Sequence, residues 1–470
     1  MKNMMNKLFL STLFLAPVVA CQSENVQGDN SIYSLTPNIV YIMADDLGIG
    51  DLGCYGQQQI KTPFIDELAR NGMIFMRHYS GSSISAPSRC SLLTGKHTGH
   101  SAIRGNKPVI CADGEKYDTP LPDKEITVAE LLKQKNYQTA CIGKWGMGGP
   151  ESEGHPNRQG FDYFYGYLGQ GHAHSYYPSF LYENNQKIIL EKKHYSHNLI
   201  MEKTLDFIDK HAEQPFFLYF SPTIPHAELS VPEENMRQYD GKFQEKPFAG
   251  GHYCAQPKPR AAYAAMVTLL DKNVGQIVDL LKQKGVYENT IIIFTSDNGV
   301  HQEGGHDPHY FNSNAGLRGI KRDFYEGGIR TPFIVRWPGV VAPGSRNHHI
   351  SAFWDFLPTV CDITGITIPH GIDGVSYLPI LKGQKQPVHD YLYFEFFEKK
   401  GTQAVIQDDW KLLCLQVNAP GKMRYELYNL KTDPKEQRNM ASLYPERVEQ
   451  LKVLMKQAHT KNPIFNFNFE

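Results

Sequence analysis

Apolar residues gather in this chain as short unbroken runs more often than in strict alternation. The first clear run lies in TPNIVYIMADDLG and stops at Asp45 and Asp46. Runs that are apolar on both faces suit strands of a parallel sheet covered by helices on each side. NTIIIFTSDNG repeats the pattern, running from Ile291 to Phe294 and ending at Asp297 and Asn298. Ahead of it, Met266, Leu270, Val274, Ile277 and Leu281 share one helical face, closed by Gly285. TVAELLKQKNYQTACIGKWG opens with a Thr127 to Glu130 capping box, continues as a helix, and delivers Lys144 just past a strand. PFFLYFSPTIPHA delivers His226 in the same manner. Strands alternating with helices predict an α/β fold, a large, mostly parallel sheet sandwiched by helices. Such sheets bind ligands at the carboxyl ends of their strands, so polar residues from four distant segments are predicted to converge there.

After about residue 385 the pattern changes. YLYFEFF, TQAVIQDDWKLLCLQ and MRYELYNL read as antiparallel strands, followed by a helix around Glu446 to His459. They predict a smaller C-terminal α+β domain over 385–470, behind a catalytic domain over 37–384. The tail NPIFNFNFE alternates like an edge strand, or is frayed. At the other end, Lys2 and Lys7 precede an apolar run from Leu8 to Ala20 that is too short to span a bilayer. Residues 1–21 therefore read as an export signal. Val18, Val19, Ala20 and Cys21 resemble a bacterial lipobox, which makes Cys21 the expected lipidation site and 22–36 a tether. The expected location is the periplasm or outer membrane of a Gram-negative bacterium, with membrane contact only through that anchor.

The formal net charge of −1 over 470 residues argues against a nucleic-acid partner, since phosphate-backbone binders carry a basic surplus. Beyond Cys21, seven cysteines show no CxxC pair and no regular spacing, so neither a zinc knuckle nor a disulfide framework is indicated.

In SISAPSRCSLLTGKHTG, Pro87 suits the start of a helix running through Leu93, with its N-terminus beside Ser85. Free N–H groups and the positive end of the helix dipole favour an anion there. Arg89 adds a guanidinium fork suited to oxyanions. Taken alone, Ser85 or Ser88 reads equally as an N-cap. The wider setting changes the picture: Asp45, Asp46, Asp297 and Asn298 form an all-oxygen set suited to a hard divalent cation, with Arg89, Lys144, Lys321 and several histidines around it. A cation, an anion-binding helix end and a hydroxyl together describe hydrolysis of a sulfate or phosphate ester.

Ser85, Pro87, Ser88, Arg89, Leu93, Thr94 and Gly95 match the signature (Cys or Ser)-x-Pro-Ser-Arg-x-x-x-Leu-Thr-Gly. MADDLG, GKWG, SPTIPHA, TSDNG and LRGIKRDFYEGGIRTPFIVRWPG accompany it in order. From Pro37 to about Met440 the chain resembles the type I, formylglycine-dependent sulfatases of the alkaline phosphatase superfamily, among them bacterial glycan sulfatases and arylsulfatase A-like enzymes. The resemblance implies that a maturing enzyme oxidises Ser85 to Cα-formylglycine (3-oxoalanine). It further implies one Ca2+ held by Asp45, Asp46, Asp297 and Asn298, attack of the formylglycine hydrate on sulfur, a covalent sulfo-enzyme intermediate and sulfate release. Arg89 would orient the diol, Lys144 and Lys321 would hold sulfate oxygens, and His226 would protonate the leaving sugar oxygen, with a core role as the other reading of His226.

One departure stands out. Many relatives read GKWH where this chain has Gly146 in GKWGMG; His172 and His174 in GYLGQGHAHSYYP offer substitutes, His174 being preferred. Expected substrate contacts are Arg104, Gln170, His174 and His301, with His306 and Asn314 nearby in the same polar loop as His301. The expected substrate is a sulfated galactose or N-acetylgalactosamine, free or in an oligosaccharide. The alternatives are a phosphate mono- or diester hydrolase of the same superfamily, whose phosphatases use two zinc ions, and a surface glycan-binding protein without turnover.

Overall fold

A computed structural model of the chain describes residues 36–111, 114–419 and 421–468. The signal peptide of 1–21, the lipidation of Cys21 and nearly all of the 22–36 tether lie outside the described residues. The strands, in chain order, are β1 (Asn38–Ala44), β2 (Met73–Tyr79), β3 (Pro108–Ile110), β4 (Lys116–Asp118), β5 (Gln138–Lys144), β6 (Tyr163–Tyr167), β7 (Phe180–Glu183), β8 (Gln186–Ile189), β9 (Phe216–Ser221), β10 (Thr290–Ser296), β11 (Phe333–Arg336), β12 (Ser345–Ala352), β13 (Leu392–Phe396), β14 (Thr402–Gln407), β15 (Trp410–Leu415) and β16 (Arg424–Asn429).

Ten of them form one sheet in the order β12-β2-β11-β10-β1-β9-β5-β6-β7-β8. Its centre, β10-β1-β9-β5-β6, is parallel. Antiparallel pairings join β11 to β10 and β2, and β7 to β6 and β8. The double-sided apolar runs have a direct structural reason. Val40, Ile42 and Ala44 of β1 point into one buried core, shared with the helix Pro259–Gln283, while Ile39, Tyr41 and Met43 point into a second core on the other face.

The second sheet, β13-β14-β15-β16, is an antiparallel meander. The helix Pro445–Ala458 covers one face through Val448, Leu451 and Met455. Its other face packs Phe394, Ile406 and Leu413 against Ile84, Phe324 and Ile329 of the main body. Residues 461–468 form no strand; Phe465 and Phe467 are buried, and Asn462 donates to the Ala102 carbonyl. Among the described residues no helix is long and apolar enough to cross a membrane, and Cys54, Cys90, Cys141, Cys254, Cys361 and Cys414 form no disulfide.

A buried charged triad ties the two sheets together. Lys411 of β15 meets Glu326 at 3.0 Å and Glu436 at 2.9 Å, and the Glu326 backbone N–H donates to Glu436 at 2.7 Å. All three side chains are essentially sealed from water. Removing one member of such a set strands an uncompensated charge, at about 3–5 kcal/mol. Lys411→Met should therefore lower unfolding stability by about 3 kcal/mol in urea titrations. Burial, with Glu326 adding to it and Lys411 opposing, pushes the Glu436 carboxyl up to about 7. Its folded value thus exceeds its unfolded one, so stability from this group is present at low pH and is lost as pH rises from the ordinary carboxylate range through 7. Glu436→Gln should flatten that decline when urea midpoints are compared between pH 5 and 8.

Candidate active site

Parallel pairing sets Ala44 of β1 opposite Ser296 of β10, so the residues that follow emerge side by side. Asp46 takes a left-handed backbone with φ of 62°, which aspartate tolerates better than most residues. Its N–H donates to Asp297 Oδ1 at 3.1 Å, and Asn298 Nδ2 donates to Asp46 Oδ1 at 2.6 Å. The four oxygen-bearing side chains, Asp45, Asp46, Asp297 and Asn298, are all buried.

The helix Ser85–Thr94 aims its N-terminus at this set. It begins two residues before the expected Pro87, and the extended Ile84 is its N-cap, so neither Ser85 nor Ser88 serves as the cap. Pro87 still falls in the first turn, where its missing N–H has no intrahelical partner to lose. Gly95 ends the helix in the left-handed region at φ of 71°. Ser88 Oγ donates instead to the Asp297 carbonyl. Ser85 Oγ donates to Asp45 Oδ1 at 3.1 Å and accepts from Lys144 Nζ at 3.2 Å, while Lys144 Nζ also meets Asp45 Oδ2 at 2.6 Å. Arg89 Nη2 lies 2.9 Å from Asp297 Oδ2, and Nη1 donates to the Lys144 carbonyl at 2.7 Å.

Lys321 Nζ contacts Asp46 Oδ2 at 2.7 Å, His226 Nε2 at 2.8 Å and Glu303 Oε2 at 3.1 Å. His226 Nδ1 faces the Ala227 carbonyl and so carries the ring proton, leaving Nε2 to accept from Lys321. Burial, then Lys321 and Lys144, hold this imidazole well below its ordinary value, hence neutral. Burial works against the Lys321 charge, but Asp46 and Glu303 outweigh it and raise its value. The His174 ring stacks on His226 with centroids 4.8 Å apart at 15°. Burial, Lys144 and Lys321 push His174 down to about 3.

The chemistry of the donor set fits a hard cation. Burial, then Asp45, raises the Asp297 carboxyl above its usual range against the opposing pull of Arg89 and Lys144. Asn298 Oδ1 is buried with no hydrogen-bond donor among the described residues. An orphaned amide oxygen beside three carboxylates is what a calcium-type site offers before the ion is counted.

The fold thus brings together Asp45, Asp46, Ser85, Arg89, Lys144, His174, His226, Asp297, Asn298 and Lys321. It does not bring Arg104, whose guanidinium is consumed by Glu395 at 2.6 Å, by the Thr460 carbonyl and hydroxyl, and by the Ser101 carbonyl. His301 is buried beside His226, but both nitrogens are engaged with backbone, Nε2 with the Pro225 carbonyl and Nδ1 with the Glu303 N–H. No ring nitrogen remains for a sugar. Asn314 closes a local turn onto Leu317 and Gly316, and His306 lies flat on Tyr263 at 3.6 Å. His172 packs against Tyr167 and Phe180.

Sequence reasoning missed Glu303, which holds Lys321, Arg322 at 2.7 Å and the Tyr253 hydroxyl at 3.0 Å. It also missed His252 and Tyr253, which reach His174 from the loop before Pro259. Glu303 sits two residues from His301 and was within reach of inspection; GGHYCA carries no motif at all.

The sulfatase family pattern matches residues 37–366, and that of the N-sulphoglucosamine sulphohydrolase C-terminal region matches 319–461. An N-acetylgalactosamine-6-O-sulfatase of Bacteroides thetaiotaomicron is 29% identical, over 95% of this chain and 98% of the relative. Human steryl-sulfatase is 30% identical, over 76% and 72% respectively. The crystal structure of Ps i-CgsB, solved also with k-i-k-neocarrahexaose, superimposes with a TM-score of 0.78 at 28% identity, over 92% of this chain and 96% of that one. The chain belongs to the sulfatase family, the sulfuric ester hydrolases built on this sheet. The family implies a formylglycine and a metal ion at the site just described.

If the four oxygen ligands act as a set, calcium added to metal-stripped protein should raise its melting temperature, and Asp297→Asn should weaken calcium binding by at least about 100-fold in calorimetry. An unchanged affinity in that variant would remove Asp297 from the metal shell.

Proposed function

We propose that the protein hydrolyses the sulfate ester of a glycan-derived sugar, a sulfated galactose or N-acetylgalactosamine. One observation carries the reading: the buried Ser85 hydroxyl is clasped between Asp45 and Lys144 at the point where the oxygen set and three cations converge. The relatives support the sugar class, one being an N-acetylgalactosamine-6-O-sulfatase and another having been crystallised with a neocarrahexaose.

A calcium ion held by Asp45, Asp46, Asp297 and Asn298 would withdraw charge from the sulfate, and formylglycine at position 85 would supply, as its hydrate, the hydroxyl that attacks sulfur. The side chains present do the rest. Arg89, anchored on Asp297 and the Lys144 carbonyl, fixes the position-85 side chain against the oxygen set. Lys144, paired with Asp45, and Lys321, paired with Asp46, bind the sulfate oxygens on which charge grows in the transition state. His226 Nε2 and Lys321 Nζ share a proton across 2.8 Å. As the sulfur to sugar-oxygen bond breaks, the leaving oxygen beside Nε2 takes that proton. Export of the chain through its first residues would bring it to extracellular polysaccharide fragments.

The test is a panel of 4- and 6-sulfated galactose and N-acetylgalactosamine alongside phosphate esters, using protein made with a sulfatase-maturing enzyme. Inorganic sulfate should appear from at least one sugar, and Lys321→Ala should cut kcat/KM by about 100- to 1,000-fold. The peptide containing residue 85 should be two hydrogens lighter than its serine form. Zinc-dependent activity on phosphate esters alone would overturn the assignment, as would an unmodified serine with sugar binding and no turnover.

A further inference from the structure

Gly146 stands two residues beyond Lys144, where the chain leaves β5, with φ of 79°. A Cβ added there would fall 2.0 Å from Gln170 Nε2 and 2.8 Å from Gln170 Cδ. A side chain at 146 and the Gln170 amide therefore compete for one space, and the left-handed backbone already disfavours any residue but glycine. The amide that fills the space is held in place yet under-used. Gln170 is only 7% exposed, and its Nε2 has no hydrogen-bond acceptor among the described residues. Leaving a buried donor unmet costs about 1–3 kcal/mol, and a native structure that keeps one calls for an explanation.

The backbone around the amide is pinned. Gln170 N donates to Asp118 Oδ2 at 2.7 Å, and Gly146 N donates to the Leu168 carbonyl at 2.9 Å. The same short loop, leaving β6 just after Tyr167, the register partner of Lys144, carries His174 onto His226. The amide thus belongs to the segment joining the Lys144 strand end to the His174 ring.

We propose that Gly146 and Gln170 form a coupled substrate-binding pair, Gly146 supplying room and Gln170 Nε2–H donating to an oxygen of the sulfated sugar on the Lys144 side of Ser85. The inference rests on the sulfatase reading and deepens it. Three variants test it: Gln170→Leu, which keeps bulk and removes the donor; Gly146→Ala, which drives a methyl into the amide; and the double variant Gly146→Ala with Gln170→Ala.

Each should lower kcat/KM for sulfate release by about tenfold, the worth of one lost hydrogen bond. The double variant should be no worse than either single one, because all three remove the same contact. In Gln170→Leu, melting temperature and calcium affinity should match the parent. Gln170→Leu within twofold of the parent would overturn the proposal, as would losses that multiply in the double variant. A loss in Gln170→Leu that tracks weakened calcium binding or a lowered melting temperature would also overturn it, marking a purely structural amide. If the parent releases sulfate from no sugar, the sulfatase reading alone falls. Calorimetric binding of galactose 6-sulfate then decides: about tenfold weaker binding by Gln170→Leu supports the pair, and unchanged or absent binding by the parent and variant overturns it.

Discussion

Charge neutrality inside a space closed to water is the constraint on which the rest depends. Asp45 pairs with Lys144, Asp46 with Lys321 and Asp297 with Arg89, each within 2.9 Å, and none of the six side chains is more than 7% exposed. In such surroundings an unpaired charge is costly, so each ion fixes the place of its opposite. The anions come from the ends of two adjacent strands; the cations come from a helix, from a third strand and from the segment after β10. Satisfying the pairs therefore positions five separate pieces of backbone, and the Ser85 hydroxyl inherits its location from them.

The same closure shapes the proton inventory. His226 is neutral because burial and two nearby ammonium groups make a further positive charge prohibitive. Glu303 lies at the edge of this region, and although burial would raise its carboxyl, Lys321, His301 and Arg322 outweigh that and keep it well below the usual range. The Lys321 ammonium is therefore divided among Asp46, Glu303 and an imidazole.

The strands that build the site were legible because a parallel interior strand must be apolar on both faces, and its end is announced by the first polar residue. Asp45, Asp297 and Lys144 could be placed for that reason. The helix start at Ser85 was read two residues late, since an extended isoleucine capping through its backbone leaves no mark in composition. Arg104 was misplaced for a different reason: a guanidinium near a matched segment looks the same whether it faces a ligand or a buried carboxylate across a subdomain seam. His252 and Tyr253 were invisible because a loop tip is positioned by contacts along the whole preceding segment. Phe248, for example, sits against Gly305.

Lys321 lies five residues before Glu326, and Glu326 is clamped by Lys411 of the second sheet and by Glu436, which follows that sheet. The segment that carries Lys321 is thus held by residues far downstream in the sequence. Those contacts can form only after β15 and the residues that follow it have left the ribosome, so a nascent fragment that stops short of them lacks part of what places Lys321.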